Sequence, residues 1–408
     1  MLQPNQSLTI SQGKVPTECL YSNNVSPVAE FQTATICIAN GQIASVDSEP
    51  LSSNVLHDTP LFDATGCYVL PGFIDVHVHG AMDSDTMDTG YEALATMSRF
   101  FAQHGVTSFL ATTMTAPHAA IMGALNSALT FSSTQAHTEL GATMLGIHVE
   151  GPYISPQYPG AQSPAFIRLP NVDEFAQYLH TGLVRMLTLA PEEPQAQALI
   201  ELAHQHHVTT VMGHTNATYE QCVTAIEWGV HQATHTYNAM SGLHHRRPGT
   251  LGAVLSHDDV YAQLIADNVH VHPAAMNILA RCKGRDRTLL ITDAMRATGL
   301  ADGEYDLGGQ AVIVTGDECR LVDGTLAGSV LTMDKALKNF MAATGWDLAA
   351  AWPVTSRTPA RSLNIGHERG DIRVGYVADL VILDTTLDVV ATIVGGRVVY
   401  CRDDGRKR

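Results

Sequence analysis

The sequence predicts an α/β fold in which a (β/α)8 TIM barrel carries a small β-sandwich domain built from both chain termini. Three observations support this prediction. The chain has 408 residues, too many for one ordinary core but normal for a large barrel with an appended domain. Its middle alternates strand-like with helix-like segments, and both of its ends contain short strand-like runs separated by turns.

The middle of the chain contains eight apolar runs that we interpret as the parallel strands of the barrel. They lie at 69–79, 106–114, 143–150, 184–190, 208–214, 232–237, 261–267 and 288–293. Helix-like stretches separate most of them, as at 91–103 and 219–228. We therefore expect the barrel to occupy residues 69–364, with a β-hairpin inserted at about 304–320.

Both ends of the chain contain several short strand-like runs. In the N-terminal part, Asn40 and Gly41 join two such runs, and this pair is a strong signal for a β-hairpin. The C-terminal part contains an apolar run at 378–384 that is typical of a buried strand. We expect residues 1–68 and 365–408 to form the two parts of one sandwich.

Composition excludes several classes of partner. The chain has 40 acidic and 23 basic residues, and its formal net charge of −17 disfavours binding to nucleic acid or anionic lipid. No apolar run is long enough to span a bilayer, and the first residues lack the pattern of a signal peptide. The seven cysteines are widely spaced without a CxxC pair, which indicates free thiols. We expect a cytoplasmic protein without nucleic-acid or membrane partners.

Five of the eight apolar runs carry residues of the metal-binding or acid–base type at or near their ends. These residues are Asp75, His77 and His79 in the first run, His148 and Glu150 in the third, His214 in the fifth, His235 and Asn238 in the sixth, and Asp293 in the eighth. The carboxyl ends of barrel strands form one rim, where active sites are built. We therefore expect side chains more than 200 positions apart to converge.

These residue types suit a hydrolytic metal site. Imidazoles and a carboxylate bind a divalent ion such as Zn²⁺ and leave one position for water. The ion lowers the pKa of that water to about 7. A second carboxylate that is not a ligand can then move the proton. The sequence thus predicts metal-dependent hydrolysis.

Single residues in this set also have simpler interpretations. A histidine at a strand end is often structural, and the pair His77 and His79 can arise by chance among 20 histidines. Asp293 alone is compatible with a helix N-cap. His148 shares a strand face with Glu150, and we leave it out of the ligand set as a core or supporting residue. Five coincident motifs at equivalent strand ends favour the metal site.

At these positions the sequence resembles the amidohydrolase superfamily and, within it, the N-acetylglucosamine-6-phosphate deacetylase family. The matching motifs cover essentially the whole chain: LPGFIDVHVHG at 70–80, HVEGPYISP at 148–156, GHTNA at 213–217, ATHTYNAM at 233–240, ADNVH at 266–270, TDA at 292–294, GTLAGS at 324–329 and ADLVILD at 378–384. GLHHRRPG at 242–249 and HVHPAAM at 270–276 also resemble the N-acetylgalactosamine-6-phosphate deacetylase branch.

The resemblance implies a reaction and a metal centre. The reaction is hydrolysis of N-acetylglucosamine 6-phosphate to glucosamine 6-phosphate and acetate, in amino-sugar catabolism. Glu150, His214 and His235 would hold the principal divalent ion, with Zn²⁺ the expected metal. His77 and His79 match those family members that bind a second ion, whereas other members use one.

The resemblance also implies catalytic and substrate-binding roles. Asp293 would take a proton from the attacking water and return it to the leaving amine, while His270 would steady the amide carbonyl or a sugar hydroxyl. The implied substrate-binding residues are Gln162, Asn238, Ala239, Arg246, His270 and Leu326. Asn238 and the backbone of Ala239 would touch the phosphate, and Arg246 would reach it from the neighbouring subunit of a homodimer. The run at 244–247 is otherwise compatible with a solvated loop.

One departure from the family pattern leaves the sugar open. Gln162 stands where the family commonly has a histidine that contacts the sugar, so deacetylation of N-acetylgalactosamine 6-phosphate is an alternative function. A cyclic-amide hydrolase is a more distant alternative, but Glu150 occupies the rim position where those enzymes use a modified lysine. A non-catalytic sugar-phosphate sensor would lack the acid–base residue, and Asp293 is present.

Overall fold

A computed structural model describes residues 7–20, 30–48, 60–135 and 141–403. Eight parallel strands in these segments form a nearly closed barrel, which confirms the predicted fold class. The strands are Phe73–Val78, Val106–Thr113, Thr143–Glu150, Val184–Leu189, Thr209–Met212, Gln232–Ala233, Tyr261–Ile265 and Thr288–Ile291. Each strand pairs with its successor along the chain, so the predicted strand ends meet at one rim.

Helices connect most of these strands. The longer helices are Tyr91–Gln103, His118–Gln135, Val172–Leu179, Ala196–Gln205, Tyr219–Glu227, Gly249–Ser256, Pro273–Arg287 and Met333–Thr344. Short α-helices lie at Thr17–Leu20, Leu348–Ala351 and Arg357–Ser362. Local sequence explains where several begin: Thr218 and Gln221 form a capping box at the start of one helix, and Pro273 occupies the first turn of another.

The terminal segments form a second sheet that contains strands from both ends of the chain, as predicted. Its order is Arg397–Cys401, Val389–Val394, Leu380–Leu383, Tyr68–Pro71, Ser7–Pro16, Phe31–Ala39 and Gln42–Asp47, with Leu61–Asp63 pairing beside Ser7–Pro16. Asn40 and Gly41 form the tight connection that their sequence indicates, with φ of 53° and 78°. The strands hydrogen-bond into one connected sheet.

Two segments differ in detail from the sequence-based expectation. The apolar run at 69–79 is divided at Gly72, so that its first part belongs to the terminal sheet and its second part opens the barrel. A Cβ atom at Gly72 would lie 2.1 Å from the Thr107 side chain, so the chain can pass between the two sheets only without a side chain here. The insertion after the barrel has three antiparallel strands rather than two: Gly303–Leu307, Gln310–Thr315 and Glu318–Leu321.

The barrel closes between its first and eighth strands through individual contacts. The Thr292 hydroxyl donates to Oδ2 of the buried Asp75 at 2.5 Å, and the backbone N–H of Asp293 donates to the carbonyl of His77 at 2.9 Å. Burial raises the pKa of Asp75 to about 6, and the hydrogen bonds from Thr292 oppose this shift. The closure therefore lies directly beneath the residues that we predict to be functional.

In the described parts of the chain, no helix combines the length and apolar character that a membrane crossing requires.

The Asp75–Thr292 contact predicts a measurable loss of stability. Thr292→Val should lower the free energy of unfolding by about 2 kcal/mol, because it removes a hydrogen-bond donor from a buried carboxyl group. Thermal unfolding at saturating metal would measure this as a lower midpoint. Thr288→Val is the matched control, since Thr288 begins the strand that Thr292 directly follows and its buried hydroxyl has no hydrogen-bond partner among the described residues. An equal loss in both variants would contradict the prediction.

Candidate active site

Three predicted ligands from three strand ends converge. Oε1 of Glu150 lies 3.2 Å from Nε2 of His214 and 3.1 Å from Nε2 of His235, and the two nitrogens are 3.0 Å apart. Ligand atoms around a tetrahedral Zn²⁺-sized ion lie about 3.3 Å from one another. This triangle therefore has the size that one small divalent cation requires.

A second triangle lies beside the first. Nε2 of His77 and Nε2 of His79 are 3.3 Å apart, and Oδ1 of Asp293 lies 3.4 Å and 3.2 Å from them. Glu150 lies between the two triangles, with Oε1 3.4 Å from His77 Nε2 and Oε2 3.3 Å from His79 Nε2. The arrangement offers two adjacent cation sites with one carboxylate between them.

The four imidazoles are oriented by hydrogen bonds on their other ring nitrogen. The Nδ1 partners are the carbonyl oxygens of Tyr158 for His214, Asn238 for His235 and Thr112 for His79, and the Thr234 hydroxyl for His77, at 2.9 to 3.2 Å. An N–H at Nδ1 that donates to oxygen leaves the lone pair on Nε2. Each Nε2 is therefore prepared to bind a cation.

The backbone turns sharply where these strands end. His214, His235 and Asp293 have φ of 47°, 24° and 51°, in the left-handed region that non-glycine residues rarely adopt. Such conformations cost about 1–3 kcal/mol each and persist where surrounding structure enforces them. The strain is located at the three positions that direct their side chains into the site.

The charges within the site are mutually compensating. Burial raises the pKa of Glu150, but the adjacent imidazoles, His77 foremost, hold it well below its usual value. The pKa of Asp293 is lowered to about 2 because His77 and His79 outweigh its burial. Burial lowers the pKa of His79, yet the carboxylates of Asp293 and Glu150 raise it well above the usual value. The site holds ionised carboxylates that require positive partners.

A cavity of about 210 Å³ opens onto both triangles. Its walls contain Glu150, His214, His235, His79 and Asp293 together with Gln162, Asn238, Ala239, His270 and Leu326, all of which the sequence indicated. Arg246 is not among the wall residues; it is exposed, and its guanidinium contacts His245 at 2.7 Å. The structure thus brings together every predicted site residue except Arg246.

Two of the wall residues, His270 and Gln162, are oriented by hydrogen bonds to neighbouring residues. Nδ1 of His270 contacts Oδ2 of Asp267 at 2.6 Å, which leaves Nε2 of His270 for the cavity. Gln162 donates from Nε2 to Oε2 of Glu150 at 2.7 Å, and its Oε1 accepts the backbone N–H of Thr115 at 2.7 Å. Both contacts orient groups that face the cavity.

His148 lies outside both triangles, in agreement with its omission from the ligand set. Its Nε2 contacts the Thr188 hydroxyl at 2.7 Å, and its ring packs edge-on against His77 with 4.6 Å between centroids. Burial is the main reason that its pKa is well below the usual value. We infer that His148 is a neutral supporting residue.

Sequence reasoning missed several residues that shape the site. Met114, Gly160, Ala161, Leu307, Thr325 and Gly328 complete the cavity wall. Asp267 falls within the ADNVH motif, three positions before His270, but its role is visible only from the hydrogen bond. Leu307 reaches the cavity from the inserted three-stranded sheet, which the sequence indicated without connecting it to the site.

Comparisons with known proteins agree with this geometry. Residues 68–399 match the Amidohydrolase family. N-acetylglucosamine-6-phosphate deacetylase of Bacillus subtilis (strain 168) is 38% identical over 392 residues, which are 94% of this chain and 98% of that protein. N-acetylgalactosamine-6-phosphate deacetylase of Escherichia coli O157:H7 is 38% identical over 365 residues, which are 88% of this chain and 93% of that protein.

A solved structure gives the same picture. It is that of a variant N-acetyl-D-glucosamine-6-phosphate deacetylase from Mycobacterium smegmatis in complex with N-acetyl-D-glucosamine-6-phosphate. The TM-score is 0.85 at 30% identity, and the match covers 97% of this chain and 100% of that chain. The likeness therefore extends over both the barrel and the terminal sheet.

Metal retention distinguishes ligands from supporting residues. His235→Asn should weaken divalent-cation binding at least about tenfold, because it removes one of three converging ligand atoms. His148→Asn, which alters a buried histidine outside both triangles, should retain the metal content of the unaltered protein. Elemental analysis after dialysis against a chelator measures both. Equal metal loss in the two variants would contradict the assignment.

Proposed function

Because the chain belongs to the amidohydrolase family, we propose that it hydrolyses the N-acetyl group of N-acetylglucosamine 6-phosphate, releasing acetate and glucosamine 6-phosphate. The resemblance indicated by the sequence motifs is confirmed at the family level. The observation that carries the proposal is the convergence of Glu150, His214, His235 and Asp293 on one cavity. The relatives named above act, by their names, on N-acetylated amino-sugar 6-phosphates.

The donor set fits Zn²⁺ or a similar ion. Glu150, His214 and His235 would hold the principal ion, and His77, His79 and Asp293 a second one, since the separations in both triangles match a small divalent cation. When bound, such an ion supplies Lewis acidity and lowers the pKa of coordinated water to about 7.

The side chains of the chain itself would carry out the proton transfers and orient the substrate. Asp293 directs Oδ1 into the second triangle and lies in the cavity wall, where its other oxygen, Oδ2, can accept a proton from water and return it to the departing nitrogen. His270 is fixed by Asp267 and presents Nε2 to the acyl carbonyl or a sugar hydroxyl. Asn238 and the backbone of Ala239 lie in the same wall, where they can contact the phosphate. Remote binding of the phosphate would orient the amide.

We place Arg246 in the active site of the neighbouring subunit of a homodimer. Arg246 is exposed and lies outside the cavity of its own chain. A guanidinium suits bidentate phosphate binding. It lies in a short basic run within a chain of net charge −17, and local cationic groups are needed to hold a phosphorylated substrate there.

We also propose a cytoplasmic location. Cys19, Cys37, Cys222, Cys282 and Cys319 are free thiols in the described part of the chain, and three of these five, Cys19, Cys222 and Cys319, are buried. Free thiols of this kind persist in a reducing compartment.

Deacetylation of N-acetylgalactosamine 6-phosphate is the second candidate function. It is favoured by the 38% identical relative of that name and by Gln162 in place of the family histidine. Acetate release from the two epimers, compared as kcat/KM on one enzyme sample of known metal content, separates the two functions. The larger kcat/KM identifies the preferred sugar.

Asp293→Asn tests the proposed chemistry. The variant should lose at least about a hundredfold in kcat for acetate release, because an amide cannot accept and return the proton. It should retain the ion at Glu150, His214 and His235, which elemental analysis would check. Acetate release at the unaltered rate would overturn the proposed role of Asp293. No acetate release from either sugar phosphate by the unaltered, metal-loaded chain would overturn the proposed reaction.

Mixed dimers test the position of Arg246. Arg246→Ala alone should raise KM for the phosphorylated sugar and leave hydrolysis of the unphosphorylated N-acetyl sugar unchanged. When Arg246→Ala and Asp293→Asn chains are mixed in equal amounts and allowed to exchange, about half of the dimers should be hybrids with one complete site of two, so the mixture should recover up to about a quarter of the unaltered activity. No recovery in proven hybrids would place Arg246 in its own subunit's site or outside any site.

A further inference from the structure

Both polar atoms of the Gln162 side-chain amide form hydrogen bonds with other residues of the protein. Its Oε1 accepts the Thr115 N–H and its Nε2 donates to Glu150 Oε2, each at 2.7 Å, and the side chain is only 4% exposed. A backbone N–H can only donate, so Oε1 must face Thr115 and Nε2 must face Glu150. The orientation of the amide is therefore fixed by its neighbours, although Gln162 also lies in the cavity wall.

The Glu150 carboxylate has a specific rotation about its last bond. Oε1 faces His214 and His235 and also lies 3.4 Å from His77, whereas Oε2 faces His79 at 3.3 Å and receives the hydrogen bond from Gln162. That terminal torsion is soft, with broad minima. A free carboxylate could turn both oxygens toward the first triangle, and Oε2 would then be lost to the second.

We propose that Gln162 is a positioning residue that holds Glu150 with Oε2 turned toward the second triangle, and thereby makes the second triangle a metal site. The proposal rests on the proposed function, because the metal centre belongs to it. The Gln162 N–H occupies one lone-pair direction of Oε2 and leaves the other available near His79. Groups that orient metal ligands in this way typically change metal affinity 10- to 100-fold when removed.

This role differs from a sugar contact in what it predicts. A positioning residue changes ion binding in the absence of any sugar, whereas a sugar contact changes only KM. The chain also provides a matched glutamine. Gln310 donates from Nε2 to the carbonyl of Ala161 at 2.6 Å, next to Gln162, and lies outside the cavity wall.

Zn²⁺ titration of the metal-free protein against a chromophoric chelator tests the proposal without substrate. The unaltered chain should bind two ions. Gln162→Met, of similar shape but without the donor, should weaken the second ion about 10- to 100-fold and leave the first unchanged. Gln162→Asn, which is one methylene too short to reach both partners, should do the same and covers the case in which the methionine variant does not fold. Gln310→Met should bind as the unaltered chain does.

Combining two substitutions in one chain tests which of the two ions Gln162 affects. His77→Asn should remove the second ion, and adding Gln162→Met to it should cause no further change in the first. One ion per unaltered chain, equal weakening of both ions, or unchanged binding with a raised KM would each overturn the proposal. Because no sugar is present in the titration, failure of the deacetylation assay alone would not affect this result.

Discussion

A single buried carboxylate organises the active site. Glu150 is 1% exposed, and its oxygens lie within 3.1 to 3.4 Å of the Nε2 atoms of four histidines. An unpaired carboxylate at this depth would be strongly destabilised, so the chain must surround it with positive partners or with a cation. The four imidazoles come from three strand ends, and each is held by a separate oxygen atom. The geometry of both triangles depends on this one group.

The sequence was sufficient to find most of these residues because the barrel converts a pattern along the chain into proximity in space. Glu150, His214, His235 and Asp293 each follow an apolar run, and parallel strand ends share one rim. His148, which the sequence analysis left out of the ligand set, lies outside both triangles, and its ring packs beside His77. Family motifs added His270 and the wall residues Asn238, Ala239 and Leu326.

Other features depended on contacts that no local pattern encodes. The run at 69–79 looks like one strand, and only the choice of pairing partners divides it at Gly72. The Asp75–Thr292 contact joins residues 217 positions apart. The sequence shows Gln162 as a departure from the family pattern. It does not show the hydrogen bonds of Gln162 to Thr115 and Glu150, because these partners lie 47 and 12 positions away along the chain. Side-chain orientation of this kind requires the packed structure.

The closure of the barrel has a consequence for how the protein responds to its ion. His77 and His79 lie at the end of the first barrel strand, whereas Asp293 follows the eighth. A cation bound by all three would therefore link the first strand to the eighth, where the barrel closes. Ligand binding to the folded chain adds stability in proportion to the logarithm of its concentration over the dissociation constant. The supply of metal would then raise the free energy of unfolding of the whole barrel as well as enable its chemistry, and a chelator would lower that stability by removing the link between the first and eighth strands.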